Sequence, residues 1–348
     1  MINAENKTAG RVMTAQATTM RWSVLAASLL VAAFIVAWPG RSLFAQSDQG
    51  LSAMQLLNEM SEALEKQNYR GTFVHMSGGH VETMQILHSH DGVGINERMI
   101  SLNGEAREVF RNRKKVTCIW PGSKSIIVSK SKPRELLPKV DEALTGSDFY
   151  EFEMLPDDRV AGLEAHVVHV KPTDEFRYGY RFWVEKETRM LLRSALLDAS
   201  GSTIEEIMFT DISFPDSIPL EELTANTDER DQFSWMESPD KPKVAPSGKE
   251  RVVFAQLPGG YRKVSESYRP MPMNDHPVSH VLISDGMASI SVYVEYTDNP
   301  GEESGLTSMG ALNAYGRSLE NAMVTVVGEV PSDTVRSIGD AVDLASAE

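Results

Sequence analysis

The chain has 348 residues, with 49 acidic side chains against 34 basic ones, a formal net charge of −15 and a single cysteine. So acidic a chain lacks the basic surface that nucleic-acid phosphates require, and anionic lipid head groups repel it outside a local basic patch. One cysteine cannot close an internal disulfide, so stability must come from packed cores, and the length suffices for two domains.

Residues 1–45 have the composition of a secretory signal. Arg21 precedes an apolar run from Trp22 to Trp38, which Pro39-Gly40 breaks, and Ser42-Leu43-Phe44-Ala45 offers a small residue before Gln46. Translation from Met1 or from Met20 fits equally. The run is marginal for a membrane span, which needs about 20 residues, so an uncleaved anchor is the alternative. No cysteine follows the cleavage region, which argues against a lipid-anchored N-terminus. Cleavage removes four basic residues and one acid, leaving a charge near −18.

Ser52 opens a helix, with Gln55 at capping-box spacing and Ala53, Leu57, Met60 and Leu64 recurring on one face. Gly71 is expected to stop it. Strands then follow: Thr72–Ser77, the Gly78-Gly79 turn, Glu82–Ser89, and a strand ending at Ile100. Asn103-Gly104 is a hairpin signal. Arg107–Trp120 reads as a strand pair or one bent strand, with Cys118 as a buried apolar thiol. Lys132–Leu144 predicts an irregular helical insert limited by Pro133 and Pro138. Sheet resumes at Tyr150–Leu155 and Glu164–Lys171. In the next segment Tyr178, Tyr180, Phe182 and Val184 point one way. Arg177, Arg181 and Trp183 point the other, as a basic-aromatic face expected to be solvated or to grip a phosphorylated glycolipid or acidic peptide. Met190–Leu197 and Thr203–Phe214 complete this half.

Residues 50–235 therefore predict a curved antiparallel half-barrel wrapping a helix. Ser238–Lys249, rich in proline and charge, marks a linker over residues 238–250. Residues 251–348 predict a smaller β-sheet domain backed by one helix, which begins near Pro331 and Asp333 and carries Val335, Ile338 and Val342 on one face. The fold class is β-rich α+β.

No G-x-S-x-G elbow, H-E-x-x-H, C-x-x-C or Walker loop occurs, so no catalytic residue is assigned and a binding protein is expected rather than an enzyme. His75, His80, His88 and His90 lie on neighbouring strands, yet no matching set completes a zinc shell, so no metal or other cofactor is expected. Met76, Met84, Ile86, Met99, Phe182, Leu192 and Met208 sit on strands of the first half. Methionine is flexible and polarizable, so these residues would wall an acyl-chain pocket if the sheet is incompletely filled; ordinary core packing is the alternative. Strand register decides between them, because a slip of one residue inverts every assignment.

Three C-terminal stretches carry a resemblance: His276-Pro-Val-Ser-His280-Val-Leu-Ile-Ser-Asp-Gly-Met-Ala-Ser-Ile-Ser-Val-Tyr-Val-Glu295, Met309-Gly-Ala-Leu-Asn-Ala-Tyr-Gly-Arg317 and Val324-Thr-Val-Val-Gly-Glu-Val-Pro331. Their order and wording resemble the MucB/RseB family, periplasmic negative regulators of the sigma-E envelope stress response. Arg70-Gly-Thr-Phe-Val74, His88–Arg98 and Tyr178–Arg193 fit the same family, and the last is loosely similar to the lipoprotein carriers with their half-open barrels. The resemblance implies a periplasmic protein that clamps the periplasmic region of a membrane-anchored anti-sigma factor and shields it from proteolysis. A lipid A or lipoprotein acyl chain entering the first domain would release the grip, and the C-terminal stretch would dock the partner. A lipid or lipoprotein carrier without a regulatory partner is the alternative, and self-association stays open.

Overall fold

The computed structural model describes residues 52–131, 148–225, 232–237, 251–271, 274–297 and 305–345. The signal segment, the insert at Lys132–Leu144 and the linker at 238–250 lie outside the described residues.

Helix α1 spans Ala53–Lys66, and the Ser52 hydroxyl accepts the Gln55 amide at 3.1 Å. Only half of the expected capping box forms, because the Gln55 side chain bonds Glu59 at 3.0 Å instead of returning to Ser52. Ala53, Leu56, Leu57, Met60 and Ala63 are buried. Each large member of that stripe is worth about 1.5–3 kcal/mol of apolar burial. The helix ends before Gly71, which lies within a strand. A Cβ there would come within 2.5 Å of the Asp211 carbonyl, so close strand approach, not helix termination, requires the glycine.

The first meander comprises β1 (Tyr69–Ser77), β2 (His80–His90), β3 (Ile95–Ser101), β4 (Glu108–Arg111), β5 (Lys115–Trp120) and β6 (Ser125–Lys130). Arg107–Trp120 is thus a strand pair. Asn112 turns it, its side chain accepting the Lys114 and Lys115 amides at 2.9 and 3.0 Å. A second meander runs through β7 (Tyr150–Val160), β8 (Leu163–Pro172), β9 (Gly179–Glu185), β10 (Leu191–Leu197) and β11 (Thr203–Ser213). Antiparallel pairing of β1 with β11 fuses the two. A short strand that the sequence did not signal, β12 (Ser234–Glu237), adds in parallel to β6. The resulting order is β12-β6-β5-β4-β3-β2-β1-β11-β10-β9-β8-β7.

This sheet curls into a half-barrel. Leu155 and Val160 of β7 share a core with Met208 and Ile212 of β11, although three strands separate β7 from β11 in the order. The register shift between Leu155 and Asp158 supplies a bend in β7. Helix α1 covers one face, packing Leu56, Leu57 and Met60 on Val168, Val170, Phe182 and Val184.

The C-terminal half contains β13 (Arg251–Phe254), β14 (Arg262–Met271), β15 (Asn274–Ser284), β16 (Ser289–Tyr296), β17 (Gly305–Met309), β18 (Leu312–Leu319), β19 (Ala322–Gly328), α2 (Ser332–Ala341) and β20 (Val342–Ala345). Six of these strands form a sheet in the order β14-β15-β16-β19-β18-β17, while β13 and β20 pair separately. Alternation on β16 and β19 buries Ile290, Val292, Val294, Val324 and Val326 against Val335 and Ile338 of α2. Val342 leaves the helix and opens β20, so it joins this core from a strand.

Candidate functional site

The seven apolar residues singled out by the sequence divide between the two faces of the first sheet. Cross-strand partners share a face. Phe73 pairs with both Met84 and Phe209, and Ile86 pairs with Met99. Phe182 opposes Ser194, which opposes Ile207, which opposes His75, two residues beyond Phe73. Met84, Ile86, Met99 and Phe182 therefore lie on the α1 side. Met208 opposes Arg193, which opposes Trp183, and with Leu192 these residues belong to the opposite face. Met76, two residues past Val74 and its partner Met208, lies there too.

Their burial differs as well. Leu192, Phe182, Ile86 and Met84 are buried, while Met76, Met99 and Met208 are half-buried. Ile86 and Met99 join the core of Tyr69, Met190 and Phe209, Phe182 joins the α1 core, and Leu192 and Met208 join the core around Trp183. On the α1 side, half-buried Phe73 and Met99 and exposed Ile207 are the accessible apolar surface beside buried Met84.

The predicted basic-aromatic face also divides. Arg181 and Trp183 stay on the face away from α1, where the Arg193 guanidinium lies 4.1 Å over the Trp183 ring and the Trp183 indole donates to Asp158 at 2.9 Å. Arg177 is neither solvated nor on that face. It precedes β9 and is 2% exposed, because it is the central charge of the contact between the two sheets.

Arg177 Nε donates to Asp285 Oδ2 at 2.6 Å, and its terminal nitrogens donate to Asp174 and to the Gly259 carbonyl. Its guanidinium lies 4.6 Å from both the Phe149 and the Tyr261 rings. Asp285 closes the β15–β16 turn by accepting the Met287 and Ala288 amides at 2.9 and 2.7 Å, and it also accepts the Tyr150 hydroxyl at 2.9 Å. Burial pulls the Arg177 pKa down, but Asp285, Tyr261 and Asp174 outweigh it and hold the group above its ordinary value. Burial, reinforced by the Asp285 carboxylate, drives the Tyr150 hydroxyl upward, so it stays a donor.

The backbone around this charge is equally committed. Gly260 has φ +80°, and a Cβ there would stand 2.6 Å from the Phe149 ring and 2.8 Å from Arg177. The Phe176 carbonyl accepts Tyr261 Oη at 3.1 Å and Thr334 Oγ1 at 2.9 Å, while Asn313 Nδ2 donates to the Tyr178 hydroxyl at 3.1 Å. Phe176 packs into the C-terminal core and Met287 into the α1 core, so each half inserts a side chain into the other. The local signals were Asp174-x-x-Arg177 and the Asp285-Gly286 turn, and nothing in either fragment names the other.

The histidines scatter. His88 is buried, stacked 4.7 Å from Tyr69, with its nitrogens 3.3 Å from Glu97 and 3.1 Å from the Glu65 carbonyl. His75 faces Glu205 at 3.0 Å. Among the described residues no three His, Cys, Asp or Glu side chains converge as a metal shell would need. Cys118 is half-buried, and burial pushes its thiol up more than nearby Arg107 and Arg111 pull it down.

Residues 52–227 match the MucB/RseB N-terminal domain, and residues 246–343 match the MucB/RseB C-terminal domain. The chain belongs to the MucB/RseB family. It is 27% identical over 308 residues to the sigma factor AlgU regulatory protein MucB of Pseudomonas aeruginosa, covering 86% of this chain and 93% of that protein. It is 28% identical over 306 residues to the sigma-E factor regulatory protein RseB of Salmonella typhimurium, covering 84% of this chain and 91% of that one. The solved Pseudomonas aeruginosa MucA/MucB complex aligns at TM-score 0.66 and 25% identity, over 85% of this chain and 99% of that one. A crystal structure of MucB with MucA(peri) aligns at TM-score 0.66 and 24% identity, over 85% and 100% of the two chains. In this MucB/RseB chain the buried arginine joins the two family domains, since Arg177 lies in the first match and Asp285 in the second.

Proposed function

We propose that this protein is an exported periplasmic regulator that binds the periplasmic region of a membrane-anchored anti-sigma factor, shields it from proteolysis and so represses the sigma-E envelope stress response. The observation that carries this reading is the match of both halves to MucB/RseB domains, with relatives named as sigma factor regulators and a MucB solved with MucA. In this proposal residues 1–45 are the signal, residues 238–250 the linker, and the C-terminal half contributes to partner docking. A lipid-like or lipoprotein signal loosens the grip. Its acyl chain is assigned to the α1 side of the first sheet, where Met84, Ile86, Met99 and Phe182 share a face with Phe73 and Ile207. Met76, Leu192 and Met208 on the other face are second candidates. Such a ligand shifts the population only by its preference for the free form, about 1.4 kcal/mol for each tenfold. No reaction is assigned to the protein. The carrier alternative is disfavoured because the C-terminal half is built into the first sheet through Arg177, which cargo carriage does not require.

The experiment mixes the protein with the anti-sigma periplasmic segment and reads complex formation and resistance of the segment to its protease, with and without an acylated lipid. Binding, protection and lipid-induced release are expected, and Met99→Asp should weaken release while leaving binding intact. Absence of complex and of protection sinks the regulator, and transfer of lipid to acceptor membranes without partner binding establishes the carrier.

A further inference from the structure

A polar cleft lies at one end of the same sheet. It encloses about 330 Å³ among His80, Glu82, Ser101, Glu105, Arg107 and Trp120. That volume is at the lower end of ligand pockets, about 300–1,000 Å³. The registers place it on the α1 side: His80 opposes Ser77, Glu82 opposes His75, and Ser101 opposes Met84. Trp120 lies two residues past Cys118, which opposes Val109, itself opposite Met99. The cleft is therefore continuous with the strip that carries Met84 and Met99.

Its frame is preorganised. The Asn103 side chain accepts the Thr83 amide at 2.6 Å and donates to the Val81 carbonyl at 2.9 Å, while Ser101 Oγ donates to the Asn103 carbonyl at 2.7 Å. These bonds fix the β3–β4 turn against β2 before any ligand arrives, which removes an ordering cost from binding. Asn103 is thus a positioning residue.

The lining chemistry selects the ligand. Glu82 and Arg107 pair at 3.7 Å, so the main cation is already matched, and Glu105 adds another carboxylate. A free anion would meet two carboxylates, while a lone cation would face the guanidinium. The remaining resources are acceptors on Glu82 and Glu105, donors on Arg107 and His80, and the half-buried indole of Trp120. Arg107 Nε is buried and has no hydrogen-bond partner among the described residues. An uncharged, hydroxyl-rich ring with one flat C–H face meets all of these groups.

We propose that this cleft binds one pyranose unit of a neutral saccharide, its C–H face on Trp120 and its hydroxyls between Glu82 and Arg107. The sugar can be a free glycan end or the head of an alkyl-chain glycolipid, because Met84 and Met99 adjoin the cleft. The proposal does not depend on anti-sigma binding.

The test is saturation-transfer NMR on the whole chain with glucose, N-acetylglucosamine and octyl β-glucoside below its micelle concentration, plus inorganic phosphate as competitor. Saturable transfer to at least one pyranose is expected, with Trp120→Ala and Glu82→Gln each weakening it about tenfold and Trp120→Phe retaining most of it. Tighter binding of octyl β-glucoside than of glucose identifies a glycolipid head, and equal binding identifies a free glycan; both support the proposal. No transfer to any of the sugars, transfer unchanged in folded Glu82→Gln and Trp120→Ala, or loss of transfer to phosphate at equal concentration overturns it. Glu82 is more than half exposed, so Glu82→Gln is informative even where Trp120→Ala fails to fold. Anti-sigma binding measured on the same samples separates the two proposals, since either can fail while the other stands.

Discussion

Arg177→Met is the most informative perturbation of this fold. Arg177 and Asp285 have side chains 0% and 1% exposed and meet at 2.6 Å. Removing one member of a buried pair costs about 3–5 kcal/mol, chiefly because the other charge is left uncompensated. Asp285 would keep the Tyr150 hydroxyl and the Met287 and Ala288 amides, so the low end, about 3 kcal/mol, is expected. Methionine fills much of the volume between Phe149 and Tyr261 and recovers part of the ring contact. The assay is urea unfolding followed both by far-UV circular dichroism and by tryptophan fluorescence. The variant should unfold at lower urea, and the two probes should separate as the halves lose their coupling. Asp285→Asn alone should also destabilise, but the double variant should be less unstable than the sum by about 1–3 kcal/mol. A loss below about 1 kcal/mol for Arg177→Met, or an additive double variant, would refute the assignment of Arg177 as the joint between the halves.

Gly260→Ala should lower stability by about 1–3 kcal/mol, because alanine must take a positive φ and meet Phe149; a thermal midpoint equal to the parent's would contradict the packing described. His169 gives a pH dependence. Burial first, then Arg181 and Lys171, hold its pKa below the ordinary 6.5, with Glu153 opposing. The folded chain therefore binds the proton more weakly than the unfolded chain. This contribution to stability is fully present above pH 6.5 and is lost as pH falls through the folded pKa. His169→Gln should flatten that portion of the stability profile, measured as urea midpoints between about pH 7.5 and pH 5, and an unchanged slope would count against it.

The acyl-chain assignment shows where periodicity stops informing. Alternation correctly groups Tyr180, Phe182 and Val184, and Tyr180 does stack on Phe182 at 5.7 Å. It fails across bulges. The register shift between Leu191 and Arg193 sets Leu191 opposite Val184 on the α1 side but Arg193 opposite Trp183 on the other face, although their two-residue spacing would place them together, and another shift separates Thr72 from Phe73 in the pairing of β1 with β11. Seven methionine-rich strand positions therefore read as one wall but belong to two faces. Similarly, β12 has no alternation to detect in four residues, and only its parallel partner β6 makes it a strand.

By itself, the sequence determined the local elements. Ser52 and the apolar spacing after it specify α1, Asn103-Gly104 specifies a turn with Gly104 at φ +69°, and Val324–Val327 with Val335 and Ile338 specify a sheet backed by a helix. Its C-terminal wording also sufficed to name the family. These are contacts within a few residues, or periods of 2 and 3.6, and they are written in the order of the chain. The tertiary structure alone decided which half-buried residues face α1, that β1 joins β11, and that Arg177 is a buried joint and not a solvated face. Arg177 meets Asp285 across 108 residues. A charge between alternating aromatics has the same local pattern whether water or a carboxylate satisfies it, and only the fold brings Asp285, Phe149 and Tyr261 around it.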